Sequence, residues 1–347
     1  MVYGICFRDQ KKSMRQRIRE AEDDDLVDPI YRYYDKDLLG EESRAPSLHE
    51  VLMSILKSTE KFKSEYRLAF VITYLAAGHG GEAKFLNYLD WSSDESLQSL
   101  TLLWRESKTI QRYPMAFGPD SFLWTCDIFH AQASYWCTPG VDGLFRLSSS
   151  NIPLGIKCFV FQRFRPEEYN DGWLTKTTTK VLSKFTDESY NVTSKSIRRG
   201  AVTSMMLHEK LDSKFVTIRS GHVAYDNSRF YYHGTSAGSL PGFKALVGWP
   251  LPHARVYCPR LTALSIDSTI MHTFMDNLYL TDLALFSRKG KLYRLLEICT
   301  ASLLRFFADV NRDLDHDNIL TNKMIDALSK TDYKLGDDDT PMKVLKR

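Results

Sequence analysis

Apolar residues recur at helical spacing in several stretches of the chain and follow a strand pattern in one. Ser47 comes after Pro46 and before Leu48, Val51, Leu52, Ile55 and Leu56, with Glu50 three residues on, which is the pattern of a capped helix start. A second helical run covers roughly residues 60–77, carries Tyr66, Phe70, Ile72, Tyr74 and Leu75, and stops at Gly78. Residues 100–117, LTLLWRESKTIQRYPMAF, read instead as a β-hairpin: β-forming residues flank a polar turn around Glu106–Thr109, and Tyr113-Pro114-Met115 resumes the second strand. Residues 119–137 read as an aromatic-rich helix with Phe122, Trp124, Ile128 and Phe129 in the core; Cys126 and His130 lie there without a ligand pattern and are read as packing residues. Residues 138–175 read as loop-like with short strands such as 157–162, and residues 175–185 read as a helix. Another helical pattern opens at Arg198, with Ala201, Met205 and Leu207 apolar and Ser204 and His208 between them. A glycine-rich passage over 234–248 is followed by helical patterns at 266–288 and 291–309, the latter marked by Leu292, Leu295, Leu296, Ile298 and Leu303. The predicted class is α+β, mainly α, with a small antiparallel sheet and a helical C-terminal extension.

Composition and charge narrow the function classes. The 347 residues are 43% hydrophobic, enough for a sizeable core, and long enough for two domains or one large one. A net charge of +3 does not announce nucleic-acid binding, so any basic surface has to come from local segregation of charge. Residues 1–45 are polar and charge-blocked: Arg8, Lys11, Lys12, Arg15, Arg17 and Arg19 precede Glu20, Glu22 and Asp23-Asp24-Asp25. No apolar run reaches membrane-spanning length and the start MVYGICFRDQKK has no signal-peptide core, so the expected location is nuclear or cytoplasmic, not secreted, and no membrane partner is expected. The six cysteines (Cys6, Cys126, Cys137, Cys158, Cys258 and Cys299) are scattered without a C-x-x-C pair, which favours reduced thiols over a zinc site or a disulfide scaffold. Residues 313–324 follow a calcium loop in outline, through Asp313, Asp315 and Asp317. Asn318 stands where the loop needs glycine and Met324 where it needs glutamate, so a polar turn before a last short helix is the better reading. No metal and no small-molecule cofactor is expected. Residues 331–347, ending DDDTPMKVLKR, read as a disordered tail.

The stretch from Lys195 to His233 carries the candidate chemistry. Arg198-Arg199-Gly200 opens the helix, Gly221-His222 follows, and Tyr231 lies nine residues beyond His222 with Tyr232 and His233 directly after it. A tyrosine hydroxyl is a poor nucleophile at its ordinary pKa of about 10. It becomes useful when cations stabilise the charge that develops as it attacks a phosphodiester. Arg198 offers a forked donor to the non-bridging phosphate oxygens, His222 a further hydrogen bond, and Tyr231 the attacking oxygen.

These residues resemble the end of the catalytic domain of tyrosine recombinases, the phage-type integrase family that includes Cre and the Xer proteins. That family writes H-x-L-R-[RH]-[GS]-x-A-T, about two dozen residues, L-G-H, and nine residues later I-Y-x-H. Here the counterparts are Lys195 to Thr203, Ser220-Gly221-His222 and Phe230-Tyr231-Tyr232-His233, with 24 residues between Arg198 and His222. The resemblance covers roughly residues 47–236 and implies a catalytic domain over 46–240, a helical extension over 241–330, and DNA recombination or DNA integration without metal or ATP. It is most similar to eukaryotic Crypton-type recombinases, which are mobile elements.

By the same resemblance, further residues take roles. Tyr231 is the nucleophile; Arg198, His222 and Lys195, the last in place of the family histidine, bind phosphate oxygens. Lys108 in the hairpin is the general acid for the 5′ oxygen, with Arg105 as an alternative and Arg112 and Pro114 behind it; Arg105 and Arg112 are candidate DNA contacts, and Arg199 supports Arg198. The family places its first catalytic arginine in a glycine turn written G-L-R-x-S-E. Here that turn is Gly78-His79-Gly80-Gly81-Glu82: Glu82 matches the acid, and His79 holds the arginine position. Histidine is mostly neutral at pH 7 and lacks the guanidinium fork, so this departure weakens the expectation of catalysis. The residues ahead of Ser47 are too few for the helical DNA clamp that the family carries there. The implied partners are double-stranded DNA and further copies of the chain assembled on it. The alternatives are a catalytically degenerate DNA-binding relic and a protein-interaction module.

Overall fold

The computed structural model describes residues 64–78, 82–83, 86, 90–93, 99–106, 111–120, 123–138, 180, 194–221, 236–253, 255, 257–261, 267–279, 291–314 and 318–331. Across these residues the protein is mainly helical with one three-stranded antiparallel sheet. The readings of residues 1–63, 139–179, 181–193, 222–235 and 332–347, including the helix at Ser47, the strand at 157–162 and the tail, lie outside the described residues.

The first described helix, α1, spans Ser64–Leu75. It is apolar on nearly every side, as a helix enclosed by protein must be; Leu68, Val71, Ile72 and Leu75 are fully enclosed. Its end is a hydrogen-bonded reversal: Ala77 takes a left-handed conformation (φ 47°), its N–H donates to Tyr74 O, and the Gly78 N–H reaches Thr73 O at 3.0 Å.

Strands β1 (Trp91–Ser93), β2 (Leu100–Glu106) and β3 (Gln111–Phe117) follow in the order β1-β2-β3. The register pairs Leu100 with Phe117, Leu102 with Met115 and Glu106 with Gln111, so the hairpin anticipated from the sequence forms with its connection at 107–110. Trp91, Leu100, Leu102, Met115 and Phe117 are buried.

Helix α2 runs only from Ile128 to Trp136, shorter than the 119–137 span read from the sequence. Asp127 explains the late start. Its carboxylate accepts the His130 N–H at 2.7 Å and so caps the helix, and its other oxygen accepts the Asp120 N–H at 2.9 Å and holds the preceding segment in a bend. Helix α3 spans Ser194–Met206 and α4 Ser213–Ser220. Ala201 and Met205 are buried as anticipated, but Leu207 lies past the helix end and is 75% exposed. Asp212 caps the start of α4 and Gly221 ends it in the left-handed region (φ 63°), which glycine adopts without steric cost.

Helices α5 (Ser236–Leu246), α6 (Ser268–Tyr279), α7 (Lys291–Arg305), α8 (Phe307–Asp313) and α9 (Ile319–Ser329) complete the described elements. The helix anticipated at 291–309 is thus two, which break at Phe306. Asn318 caps α9 by accepting the Thr321 N–H at 2.9 Å.

The packing is continuous. Helix α5 lies against β3, α3 and α4; α1 lies against α2 and α3; α7 lies along α2 and touches β1; and α6 packs on α9. One cluster of buried side chains runs from Leu68 through Phe117, Phe129, Met205 and Phe243 to Leu296 and Leu328. The C-terminal helices are therefore built into the core. Trp124 Nε1 donates to Asp313 at 3.0 Å, Ser302 Oγ to Asp127 at 2.7 Å, and Lys323 Nζ to the Cys137 carbonyl at 3.0 Å.

Candidate functional site

The site centres on Arg198. Helix α3 buries Ile197, Ala201, Val202 and Met205 against the core, which leaves Arg198 at its margin, half-buried, and Arg199 exposed. The Arg198 guanidinium donates through Nη2 to the Ser220 carbonyl at 2.6 Å. That carbonyl belongs to the last turn of α4, where the helix dipole is negative and favours a cation. Burial lowers the Arg198 pKa from its ordinary value, and the negative charge of Glu82 opposes that shift. Arg198 thus ties the Arg-Arg-Gly helix to the Ser-Gly turn that leads to His222, and the charge of Glu82 acts on the same guanidinium. Glu82 follows the end of α1, and Tyr74 from α1 donates to Ser204 on α3 at 3.3 Å.

A second arginine lies deeper. Arg219, the penultimate residue of α4, is fully buried. Its Nε donates to Leu75 O at 2.7 Å, and its Nη1 donates to Ala116 O at 2.6 Å and Ser239 O at 3.3 Å. Its guanidinium carbon sits 4.7 Å from the Phe117 ring centre and 5.6 Å from that of Phe243. One side chain thus joins the ends of α1 and β3 and the first turns of α5 to the last turn of α4. Ser239 adds a link of its own by accepting the Ala116 N–H at 2.7 Å.

Lys195 lies in the first turn of α3, Arg105 on β2 and Arg112 on β3; for these three the structure describes the backbone alone. The strand register sets the Arg105 position opposite the Arg112 position, at the end of the hairpin nearest the 107–110 connection. Tyr231, His222, Lys108 and His79 lie outside the described residues. Of the anticipated site residues, Arg198 and Glu82 are the two whose side chains the structure brings into one electrostatic environment.

A buried polar network lies between α1, α2 and α7. Arg67 Nη2 donates to His130 Nδ1 at 3.0 Å and to Trp124 O at 3.1 Å, and Arg67 Nη1 to Ser134 Oγ at 3.3 Å. Its guanidinium lies 4.9 Å from the Trp124 ring centre. Burial pushes Arg67 down to about 10 and holds His130 well below the ordinary histidine value, with the Arg67 charge adding to the latter. Burial also raises Asp127, against the pull of the donors from His130, Ser302 and Asp120. His130 is thus a packing residue whose Nδ1 is committed to Arg67. No group of metal-ligating residues occurs among the described residues, and no described helix is long and apolar enough to cross a membrane.

No protein-family model matches the chain, and no curated protein or solved structure is detectably similar to it. Arg219 and the Arg67–Asp127 network escaped the sequence reading because no motif surrounds them. Arg219 stands two residues before Gly221, and nothing in that position separates an internal clamp from a surface cation at a helix end.

Proposed function

We propose that the chain is a tyrosine-recombinase-like DNA strand transferase that binds double-stranded DNA and forms a 3′-phosphotyrosine at Tyr231. What supports the reading is the bond from Arg198 to the Ser220 carbonyl, with the Glu82 charge acting on the same guanidinium. Two of the blocks identified by resemblance are joined by that bond, and the charge of a residue from the third acts on it. In this reading Arg198, His222 and Lys195 hold the non-bridging oxygens of one phosphate. The Tyr231 hydroxyl gives its proton to solvent and its oxygen bonds to phosphorus as the bond to the 5′ oxygen breaks; Lys108 protonates that leaving oxygen and is itself reprotonated from solvent. One phosphoester bond replaces another, so the strand can be rejoined without an external energy source. A duplex carrying a nick near the cleaved phosphate should trap the covalent product, visible as a protein band shifted by the attached strand. Tyr231→Phe should abolish that band, and capture that survives in this variant would refute the nucleophile.

A degenerate DNA-binding relic is the second reading, favoured by His79 at the position of the first catalytic arginine. Loss of one preorganised donor to the developing charge typically costs about 10²–10³ in rate. His79→Arg should then raise cleavage at least about tenfold, measured as the rate of covalent capture. An unchanged rate would remove His79 as the explanation of weak activity.

A further inference from the structure

Arg198 is held by the Ser220 carbonyl, and the residue directly before that carbonyl is the buried Arg219. We propose that Arg219 is a positioning residue for the phosphate site: it clamps the last turn of α4 so that the Ser220 carbonyl stays where Arg198 is anchored. The inference rests on the reading of Arg198 as a phosphate ligand, but its mechanical part concerns the free protein. Three observations carry it. Arg219 is adjacent in sequence to Ser220, the acceptor of the Arg198 bond. Its guanidinium reaches carbonyls on α1, β3 and α5 at 2.6–3.3 Å, so the last turn of α4 is tied to three other elements. The space around it is also closed. A Cβ added at Gly242 would lie 3.0 Å from Arg219 Cβ, 3.2 Å from Met205 Sδ and 3.3 Å from Arg219 Cγ. Met205 stands on α3, the helix that carries Arg198, so the glycine admits both the clamp and the helix at one crossing.

Two of the elements gathered by Arg219 lead in sequence to residues assigned to the site. The α1 carbonyl it binds, Leu75 O, opens the reversal that leads toward Glu82, and Ala116 O lies on the hairpin strand that carries the Arg112 position. A fully buried arginine is costly unless its donors are matched with good geometry. Here the acceptors of Nε and Nη1 are main-chain carbonyls, so each bond acts directly on the backbone of the element that supplies it. Lysine has neither the planar fork nor the span to reach all three elements at once.

The test follows the Arg198 guanidinium by nitrogen-15 NMR in the full-length protein, with its signals assigned through Arg198→Lys. In the wild type its N–H groups should exchange slowly with solvent. In Arg219→Met, which keeps an apolar filling between Phe117 and Phe243, that exchange should speed up about tenfold to a hundredfold, the loss of one charge-assisted hydrogen bond. Amides of α6 and α9 should keep their protection, which a merely structural lesion would not spare. Arg219→Lys should fail to restore slow exchange. Where Arg219→Met does not fold, Gly242→Ala serves, since it displaces the clamp without removing a polar group, and it should accelerate the same signals. Wild-type Arg198 exchange in a folded Arg219→Met or Gly242→Ala protein overturns the proposal. Binding of a 30-base-pair DNA duplex (a length of roughly three helical turns), measured against salt, separates the two ideas. Slow, Arg219-dependent exchange without salt-sensitive DNA affinity upholds the clamp and sinks the DNA reading.

Discussion

Replacing Asp127 by alanine should destabilise the protein by about 3–5 kcal/mol. The magnitude follows from what the carboxylate accepts: the His130 N–H at 2.7 Å, the Ser302 hydroxyl at 2.7 Å and the Asp120 N–H at 2.9 Å. Loss of the helix cap alone costs about 1 kcal/mol. A buried hydroxyl and a buried amide then stand without an acceptor, at about 1–3 kcal/mol each. Part of that is returned, because the burial that raises the Asp127 pKa disfavours the carboxylate in the native state. Asp127→Asn is the sharper comparison. Its oxygen can still serve both His130 and Ser302, while its NH2 group faces the Asp120 N–H, so one contact of three turns repulsive and the cost should be about 1–2 kcal/mol. Equilibrium unfolding in urea gives both values. Ser302→Ala combined with Asp127→Ala should cost less than the two single changes together, by about 1 kcal/mol or more. Additive losses, or an Asp127→Ala protein within about 1 kcal/mol of the wild type, would mean that the network does not hold α7 to α2.

The pH dependence of stability follows from His130, whose folded pKa is depressed by burial and by Arg67. Between its ordinary value of 6.5 and the lower folded value, the unfolded chain binds the extra proton, so stability is present above pH 6.5 and is lost as the pH falls through that window. The slope attributable to this residue is up to about 1.4 kcal/mol per pH unit; urea midpoints at several pH values should show a shallower dependence in His130→Gln, and equal slopes would refute the assignment. Cys126 and Cys137 are buried thiols pushed up to about 12, and Cys258 and Cys299 are buried with them. All four should resist alkylation at pH 8 in the native protein and react after unfolding, as read by mass spectrometry; rapid native labelling of any of them would contradict its burial.

The parts of the fold legible in the sequence are those set by local rules. The hairpin followed from β-forming residues around a polar turn, and α1 from an apolar run closed by a glycine. The start of α2 was misplaced because Asp127 acts through partners on either side of it, Asp120 and His130, and through Ser302, which is distant in sequence. Periodicity alone carried the helix back to residue 119. Leu207 belongs to the apolar pattern that opens at Arg198, but α3 ends one residue before it, so the pattern overruns the helix. At the site, Arg198 was legible because it sits in a spaced motif. The Ser220 carbonyl that anchors it could not be read at all, since a main-chain acceptor leaves no trace in residue identity. Arg219 was illegible for a related reason: its acceptors are backbone oxygens, which any residue could supply. Arg67 was illegible because its partners Trp124, His130 and Ser134 lie 57–67 residues away with no motif to link them.

The bond from Ser302 to Asp127 spans 175 residues of chain. During synthesis at roughly 5–20 residues per second, Asp127 is made about 10–35 s before the hydroxyl that completes its shell. The Trp124–Asp313 and Cys137–Lys323 contacts impose waits slightly longer still, across 189 and 186 residues. Until Ser302 is made, α7, which packs along α2, is incomplete and cannot fully cover that face of α2. The Asp127 network can therefore be completed only once α7 has been made. A chain terminated before Ser302 lacks both the hydroxyl that donates to Asp127 and the last turn of the helix that packs along α2.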